Sequence, residues 1–324
     1  MIIDSHLHIG LNGRTAESLI RYLDRNGIEK GWVLTWDEQH PVAPMYYQSL
    51  DIKQVRQAFR MYPDRIVPFY APDPGRTDWK VRLEDCLDKG FAGCGELKVP
   101  YRWDDERMVT LLEFLDEKGL PLIFHMERPR KIFVPRKHAG VDWLMKRLYN
   151  ERFNGKTANT IERLRKGIRV LDRYMESRLI DFPGYLMDMA LLDEAVKRYR
   201  NITFIAHGPH TWNHFSIPRK DYLFHQEGRI SGKGQLWSLL ERYDNFYCDI
   251  SGYSGYNALQ RDRAFTREFL TTLHTKILFG TDNMELGLKK LLDTSGLAAN
   301  QLDAIFHSNA AGILRSQPMI SSRS

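Results

Sequence analysis

Cysteine is scarce in this chain of 324 residues: there are three, at positions 86, 94 and 248, and no two form a CxxC pair. An odd number of isolated cysteines provides no disulfide framework. Long apolar runs are also lacking, since none approaches the roughly 18–20 residues that cross a bilayer. The first residues carry no basic stretch ahead of an apolar core. We therefore expect a reduced, cytoplasmic protein with no structural disulfide, no signal peptide and no membrane partner.

A strong excess of one charge is missing as well. The chain has 47 basic and 41 acidic residues, a net charge of +6. Residues 128–183 alone hold 15 Lys/Arg against 6 Asp/Glu, so the rest of the chain is slightly acidic. This mild balance argues against a nucleic-acid partner. An inactive barrel that binds RNA or another anion through the basic segment is the alternative from a different functional class.

Short apolar runs alternate with amphipathic stretches along the chain. The predicted strands are Ile2–Ile9, Lys30–Trp36, Ile66–Ala71, Phe91–Val99, Leu120–His125, Ile202–His207, Phe246–Ile250 and Lys276–Thr281. The predicted helices between them include Ala16–Asn26, Gln48–Met61, Asp105–Lys118, Met187–Arg200 and Ala264–His274. Eight such repeats predict an α/β fold, a (β/α)8 TIM barrel. An open doubly wound sheet is the competing architecture, but no GxGxxG motif follows a predicted strand.

Two long segments interrupt this alternation. Residues 128–183 follow the fifth predicted strand, and their second half predicts one long basic helix, Thr157–Leu179. Residues 210–234 form a loop insertion after the sixth predicted strand. Both far exceed the usual βα connection of about 2–6 residues, so we expect them to line or cover a binding site. Residues 1–315 then form one barrel domain with two insertions, and residues 316–324 a flexible tail.

The strongest local motif is Asp4-Ser5-His6-Leu7-His8. Alternation along a strand places Asp4, His6 and His8 on one face and the apolar residues on the other. Two imidazoles one pleat apart can bind one metal ion. An HxH pair by itself is more typical of ordinary polar residues near a strand end than of a metal site, because short motifs recur by accident.

Further ligand-type residues follow other predicted strands. His125 ends the fifth, His207 ends the sixth and Asp282 follows the eighth. In barrel enzymes, functional side chains gather at the carboxyl ends of the strands because these ends share one mouth. Together with His6 and His8, these residues predict a metal site.

The fourth predicted strand contains Glu96 and Lys98, two residues apart and therefore on one face. The pair is either a buried ion pair or a functional unit, with Glu96 as a metal ligand and Lys98 as a contact for a substrate anion. If Glu96 bridges two ions, His207 binds the second. If it does not, His207 is a free acid–base group or electrophile.

The combined pattern resembles the amidohydrolase superfamily. His6, His8, His125, His207 and Asp282 occupy its strand positions, and Phe279-Gly280-Thr281-Asp282 and Ser308-Asn309-Ala310-Ala311-Gly312 resemble its amidohydrolase-related branch. That branch includes aminocarboxymuconate semialdehyde decarboxylase-like enzymes and lactone hydrolases. The resemblance covers residues 1–127 and 184–315. It implies one divalent ion, commonly zinc, and favours a homodimer.

On this basis we expect a metal-dependent hydrolase of a small anionic, lactone-type or amide-type substrate. Asp282 would accept the proton of the attacking water and His207 would polarise the substrate carbonyl. Substrate contacts are predicted for Lys98, Arg128, His210 and Trp36, and Asp249 is positioned to orient a ligand histidine. A non-hydrolytic decarboxylase acting on an unsaturated or aromatic acid is the alternative within the same fold.

Overall fold

Ten strands are present in the part of the chain that the structure describes. This structure is a computed structural model, and it describes residues 1–37, 50–136, 140–148, 156–218, 225–285 and 287–315. The strands are β1 (Ile3–Leu7), β2 (Lys30–Trp36), β3 (Ile66–Ala71), β4 (Cys94–Leu97), β5 (Pro121–His125), β6 (Arg130–Phe133), β7 (Leu179–Phe182), β8 (Thr203–His207), β9 (Phe246–Asp249) and β10 (Ile277–Leu278). All eight predicted strands are among them, although β4 and β10 are shorter than predicted.

The barrel wall consists of two parallel sheets, with strand orders β1-β2-β3 and β10-β9-β8-β5-β4. Backbone hydrogen bonds join the sheets at both seams. Ala92 N–H donates to Pro68 O (2.8 Å) beside β3, and Ser5 N–H donates to Phe279 O (2.9 Å) beside β10. The described strands therefore close into a parallel barrel, and the predicted TIM-barrel fold is confirmed.

Helices follow the barrel strands and also occur in the insertions. Within the described residues they are α1 (Ala16–Arg25), α2 (Ile52–Met61), α3 (Trp79–Asp88), α4 (Glu106–Lys118), α5 (Val141–Lys146), α6 (Lys156–Gly167), α7 (Arg169–Glu176), α8 (Met189–Arg198), α9 (Pro209–Asn213), α10 (Gln235–Arg242), α11 (Gly252–Gln260), α12 (Arg263–Leu273), α13 (Leu288–Asp293), α14 (Ala299–Asp303) and α15 (Asn309–Arg315). Their ends follow local chemistry. Helix α4, for example, begins where the Asp105 side chain accepts from Arg107 N–H and ends at Gly119 in a left-handed conformation.

Alternation along the strands sorts side chains between the two sides of the wall. In β5, Ile123 belongs to the interior cluster that also contains Trp32 and Phe69, whereas Leu122 and Phe124 pack in the outer layer with the helices. His125 is two residues beyond Ile123 and therefore shares its inward face. The same alternation in β8 turns His207 inward. Alternation along β5 and β8 therefore places these two histidines at the barrel mouth.

Strand β1 breaks this alternation. Its pairing with β2 is irregular between Asp4 and Leu7, which is the signature of a β-bulge. Ile3 packs in the interior cluster and Leu7 in the outer layer, so the extra residue shifts which positions face inward. The Asp4 side chain consequently contacts Thr281 and Tyr22. The prediction that Asp4 shares the face of His6 and His8 is wrong, because it assumed unbroken alternation.

The insertion at 128–183 is not wholly helical. Strands β6 and β7 form an antiparallel pair within it, with Arg130 opposite Phe182. The predicted long helix Thr157–Leu179 is instead two helices, α6 and α7, separated at Ile168, whose backbone is extended. Gly167 ends the first helix, consistent with the low helix propensity of glycine. Leu179 begins β7 rather than ending a helix.

The remaining expectations concern smaller features. Cys86, Cys94 and Cys248 are buried and free. No helix in the described ranges is both long and apolar enough to cross a bilayer. The tail predicted for residues 316–324 lies outside the described residues, as do residues 219–224 of the second insertion.

Candidate metal centre

Ionisable side chains converge at the carboxyl ends of the barrel strands. They are His6 and His8 at β1, Glu96 on β4, His125 at the end of β5, His207 at the end of β8, Asp249 at the end of β9 and Asp282 beyond β10. Parallel strands bring these ends to one mouth. The structure thus brings together all six residues predicted as metal ligands, and Asp249 with them.

Glu96 lies at the middle of this group and is 1% exposed. Its Oε2 atom is 3.5 Å from Nε2 of His6 and 3.5 Å from Nε2 of His8. Its Oε1 atom is 2.7 Å from Nδ1 of His125 and 3.6 Å from Nε2 of His207. Each carboxylate oxygen therefore faces a different pair of histidines, which is the arrangement needed by a carboxylate that bridges two ions.

The other ring nitrogen of each β1 and β8 histidine is held by an acceptor. Asp249 lies between two of them: Oδ2 is 2.8 Å from Nδ1 of His6, and Oδ1 is 2.9 Å from Nδ1 of His207. His8 Nδ1 lies 3.0 Å from the Leu34 carbonyl oxygen. Because a carbonyl can only accept, His8 carries a proton on Nδ1. One buried carboxylate therefore orients two histidines at once.

The buried carboxylates make this region favourable for a cation. Burial opposes ionisation of Glu96, but the Lys98 ammonium and His6 hold its pKa well below the usual range. Burial also opposes ionisation of Asp249, but His207 and His6 lower the pKa of this carboxyl group. At His6, burial is outweighed by Asp249 and Glu96, which raise its pKa. Ionised carboxylates aimed at imidazole nitrogens stabilise positive charge between them.

The residues fit a divalent metal ion. Nε2 of His6 and Nε2 of His8 are buried and form no hydrogen bond with a described residue. Each of these two nitrogens is 3.5 Å from Glu96 Oε2, and His8 Nε2 also lies 3.2 Å from Asp282 Oδ1. Two atoms that each bind the same zinc ion at about 2.0–2.1 Å are roughly 3.4 Å apart in a tetrahedral site. Imidazole nitrogens and carboxylate oxygens at this spacing suit a divalent transition metal.

The backbone around Asp282 is fixed by β1. Asp282 N–H donates to His6 O (2.8 Å), and the preceding residue, Thr281, donates its N–H (3.0 Å) and its hydroxyl (2.6 Å) to Asp4. Asp282 itself has φ 54°, a left-handed conformation that non-glycine residues rarely adopt. Asp4 thus holds the turn that carries Asp282, so its buried carboxylate supports the site without joining the cluster.

Gly252, at the start of α11, allows this turn to approach closely. Its φ is +70°, and a Cβ there would lie 2.9 Å from Asp282 Oδ2 and 3.6 Å from His207 Cε1. Only glycine satisfies both the conformation and the space. The backbone of α11 therefore forms a wall directly against two of the clustered side chains.

Lys98 and Trp36 lie beside the cluster. The Lys98 ammonium is 2.8 Å from Glu96 Oε2 and 3.7 Å from the centre of the Trp36 ring. Trp36 also meets the His8 ring edge to face at 5.1 Å. The ion pair considered for Glu96 and Lys98 is therefore present at the same place as the predicted ligand set. Trp36, at the end of β2, and Lys98, just after β4, were both predicted to contact substrate, and both lie beside the cluster.

Arg128 and His210 lie elsewhere. They line a separate cavity of about 540 Å³ whose described lining contains none of the clustered ligands. His210 Nδ1 is buried without a hydrogen-bond partner among the described residues, and its ring meets that of His214 at 4.8 Å. Strand-end reasoning could not separate these two residues from the cluster, because each follows a ligand by only three positions. Their contact with substrate stays a prediction.

Acid should destabilise the fold through two neutral histidines, His210 and His225. Burial lowers the pKa of His210 to about 3 and that of His225 to about 4, whereas an unfolded histidine titrates near 6.5. Below about pH 6.5 the unfolded chain binds protons that the folded chain does not. The free energy of unfolding should therefore fall as the pH drops from about 6.5 towards 4, by up to about 1.4 kcal/mol per pH unit for each histidine.

Urea unfolding of metal-free protein at pH 7.5, 6 and 5 measures this effect. The variant His210→Asn should lose less stability on acidification than the parent chain, since one titrating group is gone. The other titrating groups contribute equally to the pH dependence of both proteins, so their contributions cancel in the comparison. Parallel losses in the two proteins would contradict the assignment to His210.

Sequence reasoning missed Glu127 and Ser251. Glu127 is 2% exposed, and its Oε2 lies 3.0 Å from Nε2 of His125. The Ser251 hydroxyl is 2.9 Å from Nδ1 of His207 and also donates to Asp249. A signal was available for Glu127, because it follows His125 by two residues, the spacing that linked His6 with His8. Ser251 gave no comparable signal.

Comparison with known protein families shows which family this chain belongs to. A sequence model described as amidohydrolase matches residues 3–315. The chain therefore belongs to the amidohydrolase family, as its strand-end residues predicted. Among curated proteins, no sequence matches the chain.

Solved structures with the same fold are distant in sequence. An uncharacterised TIM-barrel protein from Bordetella bronchiseptica is 15% identical, with a TM-score of 0.59 and coverage of 97% of this chain and 98% of that one. A probable 2-pyrone-4,6-dicarboxylic acid hydrolase from Acinetobacter baumannii is 12% identical (TM-score 0.55, coverage 97% and 99%). A 2,6-dihydroxybenzoate decarboxylase is 15% identical (TM-score 0.53, coverage 97% and 98%). At these identities the likeness establishes the barrel fold.

Proposed function

We propose that this protein is a metal-dependent hydrolase of a small anionic substrate. One observation carries the proposal: buried imidazole nitrogens of His6 and His8, without hydrogen bonds to described residues, converge with Glu96 and Asp282 at the spacing of ligands around one ion. Zinc is the ion we expect, since this donor set suits it. A second ion would be held by the other oxygen of Glu96 with His125 and His207.

The ion would supply Lewis acidity, which activates water as a nucleophile at neutral pH. The chain's own residues then handle the proton. Asp282 is the most exposed carboxylate of the cluster, with 23% of its side chain accessible against 1% for Glu96. Its pKa is lowered, against the effect of burial, by His8, whose Nε2 lies 3.2 Å from Asp282 Oδ1, and by His6. It is therefore ionised and accessible, and we assign it to accept the proton of the attacking water and pass it to the leaving group.

His207 is assigned as a free acid–base group of the site. Asp249 accepts from Nδ1–H, so Nε2 of the neutral ring presents a lone pair and cannot donate to the substrate carbonyl as predicted. Burial lowers its pKa, so the ring is neutral at physiological pH. Asp249 and the Ser251 hydroxyl hold Nδ1, which fixes the ring and directs Nε2 towards the cluster. In a site with two ions, the same nitrogen becomes a ligand instead.

Lys98 is assigned to bind the anionic group of the substrate. Its side chain is 11% exposed, and its ammonium lies over the Trp36 ring at the edge of the cluster. A cation beside a flat apolar wall favours a small acid or lactone that carries a carboxylate. Arg128 and His210, in their separate cavity, are proposed to bind a more distant part of a longer substrate.

Decarboxylation is the second candidate. Two solved structures with this fold are a 2,6-dihydroxybenzoate decarboxylase and a 5-carboxyvanillate decarboxylase from Sphingomonas paucimobilis. The pairing of Lys98 with the Trp36 ring would equally suit an aromatic acid. In that reaction the ion would bind substrate and stabilise charge without net hydrolysis.

Product analysis separates the two reactions. Lactones, amides and unsaturated or aromatic acids would be incubated with zinc-loaded protein in ¹⁸O-labelled water. Hydrolysis is expected, and it incorporates one labelled oxygen into the product acid without release of carbon dioxide. Loss of one carbon as carbon dioxide, with no label in the remaining product, would replace the hydrolase by the decarboxylase.

The proposed partner is the small-molecule substrate alone. Several cations of the basic insertion already face carboxylates: Lys131 pairs with Asp181, and Arg178 with Asp142. This local compensation weakens the case for an RNA-binding surface. The homodimer and the cytoplasmic location stay predictions from the sequence.

A further inference from the structure

His125 is held differently from the other clustered histidines. His6, His8 and His207 turn Nε2 towards Glu96 and have Nδ1 beside an outer acceptor. His125 is reversed: Nδ1 lies 2.7 Å from Glu96 Oε1, and Nε2 lies 3.0 Å from Glu127 Oε2. Its ring is therefore clamped between two buried carboxylates, and its proton has two competing acceptors.

The position of the proton decides what His125 can do. With the proton on Nε2, the ring donates to Glu127, and Nδ1 presents a lone pair beside Glu96. With the proton on Nδ1, the ring donates to Glu96 Oε1. His125 Nδ1 then has no lone pair for an ion, and the Oε1 lone pair that accepts the proton is also occupied. A carboxylate on the far nitrogen of a ligand histidine fixes the first of these tautomers.

Glu127 is itself positioned by the first insertion. Its backbone pairs with Tyr185, which follows β7: Glu127 N–H donates to Tyr185 O (3.1 Å), and Tyr185 N–H donates to Glu127 O (2.8 Å). Its Oε1 accepts a hydrogen bond from Arg130 of β6, whose guanidinium lies 5.2 Å from the centre of the Phe182 ring of β7. The antiparallel pair β6–β7 therefore determines where the Glu127 carboxylate lies.

We propose that Glu127 is a positioning residue that holds the proton of His125 on Nε2 and so makes Nδ1 a metal ligand. Through Glu127, strands β6 and β7 of the insertion become part of the metal centre. This inference rests on the proposed metal-dependent function. It gives a specific role to the 128–183 insertion, for which the sequence predicted only that it lines or covers a binding site.

The test compares metal binding by Glu127→Ala and Glu127→Gln with the parent protein. Affinities for Zn²⁺ and Co²⁺ are measured by chelator competition, and the Co²⁺ absorption spectrum reports the ligand set. Removing a carboxylate behind a ligand histidine typically costs about 10–100-fold in metal affinity, and we expect a loss of this size in Glu127→Ala with an altered Co²⁺ spectrum. Glutamine keeps an acceptor oxygen, so Glu127→Gln should recover most of the affinity and the parent spectrum.

A matched control comes from the same insertion. Asp142 is a buried carboxylate that accepts from Tyr174 and Arg178, both of them within the insertion. Asp142→Asn should lower the thermal midpoint but leave the metal affinity and the Co²⁺ spectrum unchanged. Parent-like affinity in Glu127→Ala would overturn the inference, and so would an equal loss in Asp142→Asn. Absence of metal binding by the parent protein would instead overturn the proposed function.

Discussion

Protein purified without added metal should contain one to two equivalents of a divalent ion per chain, and the variant His6→Ala should contain less than about a tenth of that amount. His6 supplies a buried nitrogen without a hydrogen bond to described residues, and its other nitrogen is held 2.8 Å from Asp249. Alanine removes that ligand and leaves Asp249 without one of the two histidines that it holds. Elemental analysis after extensive dialysis measures the content, and a value near two supports Glu96 as a bridge.

The matched control is His307→Ala. His307 lies in the π-helical turn Ala304–Ser308, outside the cluster, so its loss should leave the metal content unchanged. A chain that purifies without metal and takes none up on incubation with zinc, manganese or iron would contradict the metal centre and the hydrolase with it. Equal metal in His6→Ala and the parent would place the ion elsewhere.

Replacing Asp282 with asparagine should remove turnover while the protein keeps most of its metal. The amide side chain of the variant cannot accept a proton, and general-base catalysis typically contributes about 10²–10⁴-fold. We therefore expect kcat to fall by about that factor on any substrate that the parent enzyme hydrolyses. His6, His8 and Glu96 remain to hold the ion, and an amide oxygen can still face His8 Nε2, which lies 3.2 Å from Asp282 Oδ1 in the parent chain.

Kinetics and metal content have to be measured together for this variant. Asp293→Asn provides the control, because Asp293 pairs with Lys289 on the surface helix α13 and should not affect kcat. Unchanged turnover in Asp282→Asn would exclude Asp282 as the proton acceptor. If turnover and metal disappear together, Asp282 acts chiefly as a ligand, and the base must be sought elsewhere in the cluster.

Most of the candidate site could be found from the sequence because parallel barrels follow a simple rule. An apolar run identifies each strand, and the residue after its last apolar position lies at the common mouth. His125, His207 and Asp282 were found in this way, and HxH spacing identified His6 and His8. Glu96 and Lys98 followed from the same alternation. None of these steps requires knowledge of which strands are neighbours.

The same rule fails where the backbone departs from regular geometry. The bulge in β1 adds one residue between Asp4 and Leu7, so Asp4 turns towards Thr281 and Tyr22 instead of the histidines. In the first insertion, the extended backbone at Ile168 divides a stretch whose composition favours one helix. Periodicity describes an ideal element, and these deviations depend on contacts made by residues distant in the sequence.

The sequence alone determined the class of fold and most of the ionisable side chains at the mouth, because both depend on local hydrophobic alternation. Only the tertiary structure decided which of those side chains contact one another. It places Asp249 between His6 and His207, Glu127 behind His125, and Arg128 with His210 in a separate cavity. These relations join residues that are up to 243 positions apart. They depend on distances and ring orientations between strands, which a pattern along one strand does not contain.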